Sequence, residues 1–95
     1  MSQKDQLAIP GAAVRDPQSF EVLRVWVANN NQQVSLRVGV WEDPAGWGLL
    51  LADIARHVVN TYEPASAAAR EQILSRIRMG FDAELQSPTD APTGQ

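Results

Sequence analysis

The stretch FEVLRVWVANNNQQVSLRVGVW, residues 20–41, decides how this chain folds. Two runs rich in β-branched and aromatic residues flank a cluster of Asn and Gln, the pattern of a β-hairpin. Successive strand side chains point to opposite faces. Leu23, Val25 and Val27 therefore share one face of the first strand, and Val34, Leu36, Val38 and Val40 one face of the second. These faces are expected to be the buried side, which turns Arg24, Trp26, Arg37 and Trp41 the other way. Two loops fit: a tight one around Asn29 and Asn30, or a wider one with Asn29 to Gln32 outside the ladder. Asparagine tolerates positive φ, and both registers keep the apolar faces together. In the wider register Arg24 lies opposite Arg37. Like charges so placed repel, and would call for a carboxylate near Glu21, the tail, a partner chain or a bound anion.

Downstream, EDPAGWG gives a helix start. The Asp43 side chain can accept free amide hydrogens of the first turn, and Pro44 at the first helical position forfeits no hydrogen bond. At 100° per residue, Trp47, Leu51, Ile54, Ala55, Val58 and Tyr62 fall on one apolar arc, with Asp53, Arg56, His57 and Asn60 opposite. The helix is expected to run to about Tyr62. Pro64 breaks it and offers a first position to a second helix, which returns along the first with a stripe of Ile73, Leu74, Ile77, Phe81 and Leu85. That helix should end near Leu85 or Gln86. Residues 87–95 carry too little apolar surface to order themselves and read as a flexible tail. Residues 1–19 read as an arm in which Leu7 to Ile9 could add a third strand before Pro10 stops it. Because a hairpin needs its apolar face covered, the expected fold is α+β: a two-layer arrangement of an antiparallel hairpin, possibly three-stranded, on two antiparallel helices. A single domain should span residues 20–86.

Composition narrows the function classes. The chain has 95 residues, 44% of them hydrophobic, enough for one modest core, and so short a chain gains from self-association. It has no cysteine, which removes disulfides and thiolate chemistry. A net charge of −3 with Lys4 as the sole lysine speaks against nucleic-acid binding, which needs clustered cations. The start has no uninterrupted apolar core of a secretory signal, and no run approaches the roughly 18 apolar residues of a membrane helix. A cytoplasmic protein without membrane or nucleic-acid partners is expected.

Three candidate sites emerge. Asp53 lies one helical turn before His57, the only histidine, and could orient its imidazole. A catalytic triad needs a positioned nucleophile as well, and neither Ser66 nor Ser75 sits in a recognisable elbow. The Asp53, Arg56, His57 and Asn60 face thus reads as a solvated helix face, and one histidine without cysteine predicts no metal. PAGWG could cradle a phosphate at a helix N-terminus, but Glu42 and Asp43 put negative charge there and no nucleotide motif is present. It reads instead as a strand-to-helix corner secured by Trp41 and Trp47, with Gly46 and Gly48 permitting close approach. The Arg24, Trp26, Arg37 and Trp41 face is the most informative, since tryptophan and arginine are enriched where proteins dock. The alternative is that the N-terminal arm covers it and the arginines stack on the tryptophans.

The segments VLRVWVA, VSLRVGVWEDPAGWGLLLADIARHV and ELQSPTD resemble a family of small bacterial proteins, a domain of unknown function found chiefly in alphaproteobacteria. The resemblance implies a single-domain cytoplasmic bacterial protein and carries no activity, cofactor or site residues. The residues themselves predict a non-catalytic protein-interaction module, a homodimer through the Trp/Arg face or through strand edges. The second reading is a binding protein for a small anion held by Arg24 and Arg37 with tryptophan stacking. A hydrolase using Asp53 and His57 comes third.

Overall fold

The computed structural model describes residues 5–88, which form α1 (Gly11–Arg15), β1 (Leu23–Ala28), β2 (Asn31–Leu36), α2 (Ala45–Thr61) and α3 (Ala67–Gln86). The class is α+β, as the two periodicities predict: an antiparallel hairpin joined to helices. The chain divides into two compact units, the first running to Val38 and the second starting at Gly39.

In the first unit the tight turn forms. Ala28 pairs with Asn31, and Asn29 and Asn30 take φ of 55° and 63°. Two consecutive left-handed residues match the right-handed twist of the flanking strands, and asparagine adopts that conformation at low cost. The register sets Leu23 opposite Leu36 and Val25 opposite Val34, so the apolar faces do coincide. It also sets Arg24 opposite Ser35, and the arginine-on-arginine opposition of the wider loop is absent. β2 begins at Asn31 and stops at Leu36, earlier at both ends than the alternation suggests. Arg37 adds one bond, its N–H to the Val22 carbonyl at 2.9 Å, before Gly39 at φ 82° turns the chain.

Within its own unit the apolar face of the hairpin is only partly covered. Val25 is 52% exposed, Val27 74% and Leu36 56%, while Leu23 and Val34 are half-buried. Alternation identifies a face that water disfavours, but a two-stranded sheet is too narrow to cover itself. Leu7 to Ile9 form no strand. Beyond them Pro10, at φ −55°, starts the one-turn helix α1 by accepting the amides of Ala13 and Val14, a turn the strand-centred reading missed. The Ser19 hydroxyl lies 2.7 Å from the Ala13 carbonyl and 2.8 Å from that of Asp16, and so ties off its end.

The second unit follows its periodicity more closely. Asp43 Oδ1 accepts the Ala45 amide at 3.0 Å, an Asx turn that leads into the helix from just before the cap position. Pro44 sits just outside the helix, in the cap position and not the first helical one. At the other end Glu63 takes φ 50° and donates its N–H to the Asn60 carbonyl, a left-handed closure usually given to glycine. Pro64 does not open the next helix. Ser66 does, its Oγ accepting the Ala69 amide at 3.0 Å, and α3 ends at Gln86 as the stripe predicts.

The helices α2 and α3 contact each other, and Val59, at 1% exposure, is the buried side chain of the described residues. Trp47, Ala55, Ile73, Leu74 and Ile77 are half-buried. Leu51, Ile54, Val58, Tyr62, Phe81 and Leu85, all expected inside, are exposed. The apolar arc of α2 is wider than one neighbour can cover, and its buried sector is the edge carrying Ala55 and Val59. Of the expected tail, Ser87 and Pro88 follow α3, and residues 89–95 lie outside the described residues, as do residues 1–4 of the arm. No described helix is long and apolar enough to cross a membrane.

Candidate functional site

Pairing in the hairpin brings three of the four sequence-predicted residues together. Arg24, Trp26 and Arg37 have the same strand parity, across from Ser35, Gln33 and Val22 respectively, and so share one face. The fourth, Trp41, does not join them. It belongs to the second unit, because β2 ends at Leu36 and Gly39 redirects the chain. There its ring meets that of Trp47 edge to face, with centroids 5.1 Å apart and planes at 87°. A Cβ on Gly46 would come within 2.6 Å of the Trp41 ring, so glycine is required for this packing, whereas Gly48 faces open space. The Trp41–Trp47 element is thus the structural corner that its sequence suggests.

Phe20 and Glu21, of which the sequence points only to the neighbourhood of Glu21 as a source of a compensating carboxylate, organise the hairpin face. Glu21 forms a forked pair with Arg24, Oε1 to Nη2 at 3.0 Å and Oε2 to Nε at 3.2 Å. Its backbone carbonyl accepts Nε of Arg37 at 2.9 Å, and the Arg37 guanidinium lies 5.1 Å over the Phe20 ring. Such bidentate and stacked contacts fix arginine rotamers more firmly than a single point contact would. The signal for them lay in FE directly before the strand: an aromatic and a carboxylate at the entrance to a face that carries two arginines. The expected stacking of arginine on tryptophan is replaced, for Arg37, by stacking on Phe20. Trp26 is half-buried.

Beside this face, within the same unit, a cavity of about 770 Å³ is lined by Leu7, Ile9, Val14, Phe20, Leu23 and Trp26 among others. A more open depression of about 470 Å³ lies between Arg24 and Arg37, with Glu21 and Ser35 at its wall.

The secondary face on α2 is open to water. His57 Nε2 lies 3.4 Å from Asp53 Oδ2, with the two side chains 74% and 61% exposed, and Arg56 and Asn60 are exposed as well. A pair so solvated is a surface contact between helix neighbours. Ser66, weighed as a nucleophile, accepts a capping hydrogen bond. Among the described residues, no group of three or more His, Asp or Glu converges as a metal site.

Residues 6–89 match the model of a family described as Domain of unknown function (DUF5076). Among solved structures, a provisionally named pyruvate dehydrogenase from the photosynthetic bacterium Rhodopseudomonas palustrus is similar, with a TM-score of 0.76 and 36% sequence identity. The match covers 100% of this chain and 97% of that one. No curated protein matches.

Proposed function

We propose, from the premise that the chain belongs to the family described as Domain of unknown function (DUF5076), that it is a small non-catalytic interaction module of the bacterial cytoplasm that self-associates through its hairpin. One observation carries the reading. The hairpin exposes Val25, Val27 and Leu36 on one face and holds Trp26 and two ordered arginines on the other. An isolated two-stranded sheet is marginal in water, and an uncovered apolar strand face is normally used. A second copy supplies a matching surface at equal concentration.

The enzyme name of the similar structure is not carried over. A redox or decarboxylating step needs a positioned acid, base or cofactor cradle, and the Asp53–His57 pair stands in open water. Anion binding is the second reading, favoured by Arg37, which has no carboxylate within ion-pair reach among the described residues. Against it, Glu21 already neutralises Arg24. Inorganic phosphate would have to raise the thermal midpoint of the native chain and leave Arg37→Ala unchanged.

The test of the main reading is the solution mass by light scattering after size exclusion, over a range of concentrations at low and high salt. A mass of two chains at both salts supports it. A single-chain mass at every concentration contradicts it.

A further inference from the structure

The pairing that builds the hairpin also determines which backbone groups it leaves unused. In an antiparallel ladder, directly opposed residues alternate between pairs that exchange both hydrogen bonds and pairs that exchange none. The bond from the Arg37 N–H to the Val22 carbonyl marks 22 and 37 as an exchanging pair. By alternation Arg24, Trp26 and Ala28 turn their amides and carbonyls toward β2. Leu23, Val25 and Val27 turn theirs outward, to the free edge of β1. No backbone bond to these three is made by the arm or by any other described segment.

That edge has the features natural proteins normally suppress: it is apolar, six residues long, and free of proline, glycine and lysine. Its one charge, Arg24, is neutralised by Glu21. The outer edge of β2, in contrast, begins in the polar run Asn31 to Gln33. The 770 Å³ cavity lies between β1 and the arm residues around Leu7 to Pro10, which make no backbone bond to the strand.

We infer that the β1 edge pairs antiparallel with β1 of a second copy of this chain, on a twofold axis at Val25, making a continuous four-stranded sheet. This rests on the self-association proposed above and names its geometry. Three twofold registers bring two or more of the outward residues of each copy opposite one another. An axis at Arg24 would set Arg24 against its own copy, which is repulsive. An axis at Trp26 would use Val25 and Val27 but leave the groups of Leu23 facing the left-handed Asn29 of the partner. An axis at Val25 uses all three outward residues, pairing Leu23 with the partner's Val27 and Val25 with the partner's Val25. On the other face it sets Arg24 opposite the partner's Trp26, twice, a favourable cation–π pairing. Leu23, Val25 and Val27 then each have an apolar opposite, and no like charges meet.

The inference is tested with two variants of the full chain. In Val25→Pro the lost N–H points outward, so the hairpin's own ladder is kept, as proline on an edge strand allows. The new ladder, however, loses its central donor. In Val25→Cys, the only thiol of the molecule is placed on the twofold axis, where paired strands bring Cα atoms to about 5.5 Å, within disulfide range. Leu23→Cys is the off-axis control. The expected result is a two-chain mass for the native protein, a one-chain mass for Val25→Pro, and oxidation to a disulfide-linked dimer for Val25→Cys but not for Leu23→Cys. A native two-chain mass with no disulfide in Val25→Cys overturns the edge geometry and leaves self-association standing. A native one-chain mass overturns both. Should Val25→Pro fail to fold, the cysteine pair decides alone.

Discussion

The helical unit and the hairpin unit solve the same problem to different degrees. The helical unit supplies its own stops and contacts: Asp43 and Ser66 hold first-turn amides, Trp41 lies against Trp47, and Val59 is out of water. The hairpin unit fixes its register just as firmly, through the Asn29–Asn30 turn and the forked Glu21–Arg24 pair, yet buries none of its side chains fully. Local hydrogen bonding is sufficient to define a strand pair, but it does not remove apolar surface from water, and burial stabilises a fold more than hydrogen bonding does. The difference teaches where function should be sought. The unit that is locally specified and not locally buried is the one with surface left for another molecule.

If that contrast is right, substitutions in the helical unit act on stability at any protein concentration, and those in the hairpin act on association. The largest effect is expected at Val59. Val59→Ala removes buried methyl groups and should cost about 2 kcal/mol in denaturant unfolding. Gly46→Ala forces a Cβ into the Trp41 ring and should cost about 1–2 kcal/mol, since overpacking outweighs the helix propensity gained. Ser66→Ala leaves the Ala69 amide without its cap and should cost about 1 kcal/mol. Glu63→Gly relieves the left-handed backbone and should stabilise by about 0.5–1 kcal/mol, seen as a higher thermal midpoint. Trp26→Ala is the counterpart in the hairpin: its unfolding midpoint in dilute solution should change least, while the two-chain species seen by light scattering is lost. An unchanged dimer in Trp26→Ala would break the contrast at the hairpin. A concentration-dependent effect of Val59→Ala would break it at the helices.

Much of this architecture was legible in the residues. Alternation in LRVWVA found β1 and its faces, Asp43 found the start of α2, and the Ile73 to Leu85 stripe found the extent of α3. What escaped was decided by geometry that composition leaves degenerate. NNNQQ accommodates a turn at several places, and only the twist match of two left-handed asparagines selects Asn29 and Asn30. Proline signals a break without saying which neighbour caps the next helix, so Pro64 concealed Ser66. Helical periodicity gives the width of an apolar arc but not the sector a neighbour touches. Val59 was therefore missed while Leu51 and Val58 were expected inside. For the candidate site, Arg24, Trp26 and Arg37 were read as sharing a face, and they do. Trp41 was assigned there on the assumption that β2 continued to it. Glu21 was expected only as a nearby source of a carboxylate, and Phe20 escaped, because both precede the strand, where alternation no longer says which way a side chain points.

The most direct measurement is residue-resolved amide hydrogen exchange in the hairpin at low and at high protein concentration. In the single chain, the amides of Arg24, Trp26 and Ala28 should be protected and those of Leu23, Val25 and Val27 should exchange freely. At concentrations where two chains associate, the second set should become protected as well, with Val25 among the slowest. If Leu23, Val25 and Val27 continue to exchange freely while the mass has doubled, the edge of β1 is not where the copies meet.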